Sequence, residues 1–171
     1  MPNEKIKVLF LDIDGVLNSA EELFDDRVIN PKKLEILKSI IDKTNAKIVL
    51  TSTWRCFVNK LSAVIEALET VNLELYGITR EGVAMKNFKN TPWADVKRCP
   101  SYIYEDDINN DRGAEIAWWI WCRREKIDKF AIVDDEDADI RKYFPNNIVK
   151  TGFSTGLTSE DAAKIVKILE D

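Results

Sequence analysis

The chain has 171 residues, 45% apolar and 32% charged, enough for one well-cored domain and short for two. Its 25 basic side chains face 30 acidic ones, and the net charge of −5 argues against a broad nucleic-acid surface, leaving room for a local basic patch. Histidine is absent, which excludes every histidine-dependent triad and the common zinc sites, and no apolar run is long enough to span a bilayer.

The charged start MPNEKIK leads into only a short apolar segment and has no secretory pattern, so a cytoplasmic protein is expected. Cys56, Cys99 and Cys122 are far apart and form no CxxC pair, so they read as buried or incidental thiols.

Ile6 to Leu11 is a nearly unbroken apolar run, as expected of a strand buried on both faces of a parallel sheet. It drives into Asp12, Asp14 and Gly15. Two carboxylates so close repel unless a cation sits between them. The polar stretch that follows Asn18 reads as a loop or small flap. Asn30-Pro31 is a helix start, and Leu34, Leu37 and Ile41 place an amphipathic helix over Pro31 to Lys43. Lys47 to Leu50 is a second short strand, running into Thr51 and Ser52. Strand, helix and strand together make a βαβ unit with a right-handed crossover.

Leu61, Ile65 and Leu68 indicate a helix over Val58 to Thr70, followed by a candidate strand from Leu73 to Ile78. Thr79 to Asp111 is irregular, and such long segments often serve as lids or binding loops. The expectation is a single domain with a small insertion around 73–111, where substrate selectivity would reside. A helix from about Gly113 to Glu125 carries Trp118, Trp119 and Trp121, a cluster that more often packs than stacks on bases. Lys129 to Val133 is a third clear strand, and it too ends in acids, Asp134 and Asp135. A short strand follows at Ile148 to Lys150. The last helix is capped by Thr158 and shows Ala162, Ile165 and Leu169 on one face.

Three buried strands therefore end in Asp12/Asp14, Thr51/Ser52 and Asp134/Asp135. Parallel sheets bind ligands outside the carboxyl ends of their strands, so these groups are expected to meet at one edge. Several carboxylates together suit a hard, oxygen-bound cation such as Mg²⁺. One carboxylate could attack phosphorus while another moves the leaving group's proton. A hydroxyl at Thr51 or Ser52 and a cation such as Arg112 would hold the transferring group. Arg55 is a candidate for substrate phosphate or, equally, for a structural ion pair.

LFLDIDGVLN resembles the first motif of the haloacid dehalogenase (HAD) superfamily in its DxD phosphatase form. IVLTSTW is similar to the hydroxyl motif, and FAIVDDEDAD to the acidic metal-binding motif. The resemblance implies an HAD-like, three-layer α/β fold, with Asp12 as nucleophile and Asp14 as general acid/base. It implies a magnesium set drawn from Asp12, Asp14, Asp134 and Asp135, with Asp139 a weaker candidate. The family's third motif is normally a lysine. Here Arg112 holds that position, and Lys86, Lys89 and Lys97 are the alternatives. An EF-hand reading of DxDG fails, because a strand precedes it and the remaining ligands are missing.

The nearest resemblance is to small HAD phosphatases, including the HAD domains of RNA-repair proteins. The short gap between the first two motifs implies a minimal cap. The expected function is Mg²⁺-dependent hydrolysis of a phosphomonoester, on a small molecule or on a nucleic-acid end. A polynucleotide-end phosphatase is the first alternative. A non-catalytic module binding a partner through the Trp-rich helix is the second.

Overall fold

A computed structural model describes residues 4–22, 29–79 and 111–171. Five parallel strands form one sheet in the order β3-β2-β1-β4-β5. They are β1 (Ile6–Leu11), β2 (Lys47–Leu50), β3 (Leu75–Ile78), β4 (Ile127–Asp134) and β5 (Ile148–Lys150). Around them lie helices α1 (Pro31–Thr44), α2 (Val58–Thr70), α3 (Arg112–Arg123), α4 (Ala138–Arg141) and α5 (Ser159–Glu170). A 3₁₀ turn spans Thr53–Cys56.

The alternation of β1 side chains builds the three layers. Leu9 and Leu11 face a core shared with Leu34 and Leu37 of α1, Leu68 of α2 and Ile165 of α5. Val8 and Phe10 face the opposite core, with Ile116 and Trp119 of α3 and Ile140 of α4. Each face is sealed, which explains why β1 reads as an unbroken apolar run. Phe10 meets Trp119 edge-on at 5.3 Å between ring centroids, a geometry that aromatic quadrupoles favour. Trp118 and Trp119 are buried, while Arg123 and Arg124 stack on Trp119 and Trp121. The tryptophans of α3 thus serve the core and its rim.

Helix ends follow local chemistry. The Asn30 side chain accepts from the Lys32 amide and Pro31 opens α1. Thr158 and Asp161 form a reciprocal capping box on α5. Helix α3 begins at Arg112, because the Asp111 carboxylate accepts from the Ala114 amide. A Cβ on Gly113 would lie 2.5 Å from the Asp139 carbonyl, so only glycine lets α3 approach α4 this closely. Of the expected insertion, residues 73–79 belong to the sheet as β3 and its flanks, while 80–110 lie outside the described residues. Among the described residues no helix is long and apolar enough to cross a membrane.

Strand register sets the functional edge. Leu11 pairs with Leu50 on one side and Val133 on the other, and Leu50 pairs with Ile78. The next residues along, Asp12, Thr51, Asp134 and Thr79, are therefore level with one another. Backbone bonds continue the ladder one step further: Asp12 donates to Val133, Thr51 to Leu11, and Thr79 to Leu50. A rigid sheet places these polar groups.

Candidate active site

Carboxylate oxygens of Asp12, Asp134 and Asp135 all lie within 4.8 Å of one another. Asp12 and Asp134 are buried, at 4% and 0% exposure, and Asp135 is partly so. Gly15 makes this arrangement possible. Its φ is +69°, and a Cβ there would come within 2.7 Å of the Asp135 side chain. The turn after β1 thereby passes directly over the acidic end of β4.

Arg112, opening α3, sends one guanidinium nitrogen to 2.6 Å from Asp134 and 3.4 Å from Asp12. Among the described residues one cation faces three clustered carboxylates, which leaves net negative charge in a buried place. Asp12 responds most: burial, then the neighbouring Asp134 charge, push its carboxyl up to about 7 despite Arg112. Burial raises Asp134 as well, against the opposing pull of Arg112. Asp135 is raised by burial and by Asp134. Burial works against the charge on Arg112, yet Asp12 and Asp134 outweigh it, and the guanidinium stays protonated. Three close oxygen donors and unmet negative charge fit a hard divalent cation held by Asp12, Asp134 and Asp135.

The hydroxyls that end β2 have different environments. Thr51 Oγ1 is buried and has no hydrogen-bond partner among the described residues. Ser52 Oγ instead accepts from the Trp54 amide at 3.3 Å and caps the 3₁₀ turn. The free hydroxyl at the edge is thus that of Thr51.

Three candidate residues sit outside the acidic cluster. Asp14, expected among the metal ligands, has its carboxylate outside the acidic cluster. One oxygen accepts from Trp54 Nε1 at 2.9 Å and the other from Asn18 Nδ2 at 3.0 Å. Asp139 is half-exposed on α4 and pairs with Lys142. Arg55, a candidate phosphate ligand, is taken up by structure. Its guanidinium meets Glu115 at 2.7 Å with both side chains over 90% buried, and it donates to the Thr51 and Ser52 carbonyls. The ion pair is the reading realised. It ties the loop after β2 to helix α3, and hence Thr51 to Arg112. The candidate lysines 86, 89 and 97 lie outside the described residues.

Sequence reasoning missed Trp54 and Asn18, which hold Asp14, and Glu115, which holds Arg55. Asn18 closes the motif VLN and sits one helical turn beyond Asp14, a spacing that hints at contact. Trp54 reaches Asp14 across 40 residues, and only the strand register brings them together.

Residues 8–162 match the family model described as the HAD domain in Swiss Army Knife RNA repair proteins. No curated protein and no solved structure matches the chain. The match runs from β1 into α5, taking in the sheet edge and every acidic residue that lines it. This chain belongs to the HAD superfamily, within the family of HAD domains found in Swiss Army Knife RNA repair proteins.

Proposed function

We propose that the chain is a Mg²⁺-dependent phosphatase that hydrolyses a phosphomonoester through an aspartyl-phosphate on Asp12. One observation carries this reading: the carboxylates of Asp12, Asp134 and Asp135 cluster beside Arg112, at the sheet edge where the Thr51 hydroxyl has no partner among the described residues. A Mg²⁺ ion held by the three carboxylates would keep them ionised and neutralise charge on a phosphoryl oxygen.

An Asp12 oxygen attacks phosphorus, an Asp12–phosphorus bond forms, and the ester bond breaks. Asp14 passes its proton to the departing alkoxide. Water then attacks phosphorus, the Asp14 carboxylate takes one of its protons, and the bond to Asp12 breaks, releasing inorganic phosphate. Arg112 and the Thr51 hydroxyl donate hydrogen bonds to the transferring oxygens. Arg55 acts only through its hold on the Thr51 loop.

The family match favours a second, narrower reading, in which the phosphate sits on the end of a polynucleotide. The net charge of −5 opposes broad nucleic-acid binding and counts against this narrower reading. A panel of small phosphomonoesters and 3′- or 5′-phosphorylated oligonucleotides, with and without Mg²⁺, tests both readings. Turnover that needs the metal and vanishes in Asp12→Asn is expected. Equal, metal-independent turnover by both proteins would overturn the mechanism. No turnover of anything, with tight binding of a protein partner, would point to a non-catalytic module.

A further inference from the structure

The best-built group of side chains beyond the acidic cluster surrounds Asp14. Trp54 is 2% exposed and Asn18 is 1% exposed. The indole N–H of Trp54 donates to one oxygen of Asp14, and the Asn18 amide donates to the other. The orientation of that amide is unambiguous, since its own oxygen accepts from the Gly15 backbone N–H at 2.9 Å. Trp54 is fixed in turn: its amide donates to Ser52 Oγ, and the Lys60 ammonium lies 5.0 Å from its ring. Both oxygens of a partly buried carboxylate are thus held by two immobile, uncharged donors. A surface acid would need no such clamp, and a cation ligand would turn toward Asp12, Asp134 and Asp135.

We infer that Trp54, with Asn18, is a positioning residue that fixes the Asp14 carboxylate for proton exchange with the leaving group. This role rests on the phosphatase reading. In the step that phosphorylates Asp12, the clamp contributes most when the departing oxygen needs a proton, and little when the leaving group departs as a stable anion.

Two measurements test it. In ¹⁵N-labelled protein, the Trp54 indole resonance is assigned by its loss in Trp54→Phe, and it should move upfield in Asp14→Ala as its acceptor disappears. In Mg²⁺-supplied enzyme, Trp54→Phe should lower kcat on alkyl phosphates by about 10–100-fold, the range for losing a hydrogen bond to a charged group. KM should change little, and the rate at which an aryl phosphate with an acidic phenol releases its phenol in a single turnover should be nearly retained. The same substitution in an Asp14→Ala background should cost nothing more. If Trp54→Phe does not fold, benzothienylalanine at this position keeps the bicyclic ring, lacks the N–H, and serves instead.

Equal losses in single-turnover release of the two leaving groups, or an additive loss in the Asp14→Ala background, would overturn the positioning role. An indole resonance unmoved by Asp14→Ala, in an enzyme that turns over, would overturn the clamp alone. A moved resonance in a protein that hydrolyses no phosphoester would overturn the phosphatase reading, and the catalytic use of the clamp with it.

Discussion

Two groups of aspartates lie within a few residues of each other and behave in opposite ways. Asp134 and Asp135, with Asp12 beside them, are drawn into the sheet edge, where among the described residues one arginine answers three carboxylates. Asp137 and Asp139, one helical turn on, face solvent in part and have bases to match. Asp137 pairs with Arg141 and Lys150, and Lys142 serves both Asp139 and Asp111. Burial raises the first group's carboxyls, whereas hydrogen bonds from Arg141 and Lys150 lower Asp137. Residue type is the same throughout. The difference is compensation among the described residues, and the less compensated group is the one suited to a cation.

Substituting one member of each group should break this contrast most visibly. Asp134→Asn should weaken Mg²⁺ binding by more than the roughly 10–100-fold typical of outer-shell partners, with turnover falling alongside. Asp137→Asn should leave both unchanged. Calorimetric metal titration and steady-state assays measure the two effects.

A charged pair inside the fold offers a different comparison. Arg55 and Glu115 are buried too, and their charges match one to one. Glu115→Ala strands the guanidinium and should destabilise the protein by about 3–5 kcal/mol in chemical denaturation. Thr51→Val sharpens the point from the other side. Its hydroxyl has no partner among the described residues, so stability should hold or rise slightly, while kcat falls by about 10²-fold.

The two groups should also differ in their pH dependence. In metal-free protein Asp12 titrates near 7 when folded, against an ordinary value of 3.8. The folded state then holds a proton that the unfolded chain releases, so stability is fully present below about 4 and declines as pH rises toward 7. Asp134 and Asp135 act in the same direction. The loss should amount to about 1–4 kcal/mol, and thermal melts across this range should show it flattened by Asp12→Asn or by Mg²⁺. Asp137, being lowered, has the opposite sign: its small contribution is present above the ordinary carboxyl range and is lost on acidification.

Much of this could be read from the chain because parallel strands convert distance in sequence into proximity at one edge. Asp12, Thr51 and Asp134 each follow a buried apolar run directly, and the register makes them neighbours. What stayed hidden depends on which way a side chain turns after the strand ends. Thr51 and Ser52 are adjacent, and only the 3₁₀ turn that Ser52 caps separates the free hydroxyl from the occupied one. Asp14 is two residues from Asp12, yet the positive φ of Gly15 and the donors on Asn18 and Trp54 carry its carboxylate out of the cluster. Arg55 offered two partners on paper. Its choice of Glu115 required knowing that α3 packs beside the loop after β2.

The proposed mechanism stands on phosphorylation of Asp12 during turnover. Rapid acid quenching during Mg²⁺-supported hydrolysis, followed by peptide mass spectrometry, tests this most directly. A phosphate is expected on the peptide carrying Asp12, dependent on Mg²⁺, absent from Asp12→Asn, and accumulating in Asp14→Ala when an activated ester is supplied. Sustained turnover with phosphate on no residue, or on a residue other than Asp12, would contradict it.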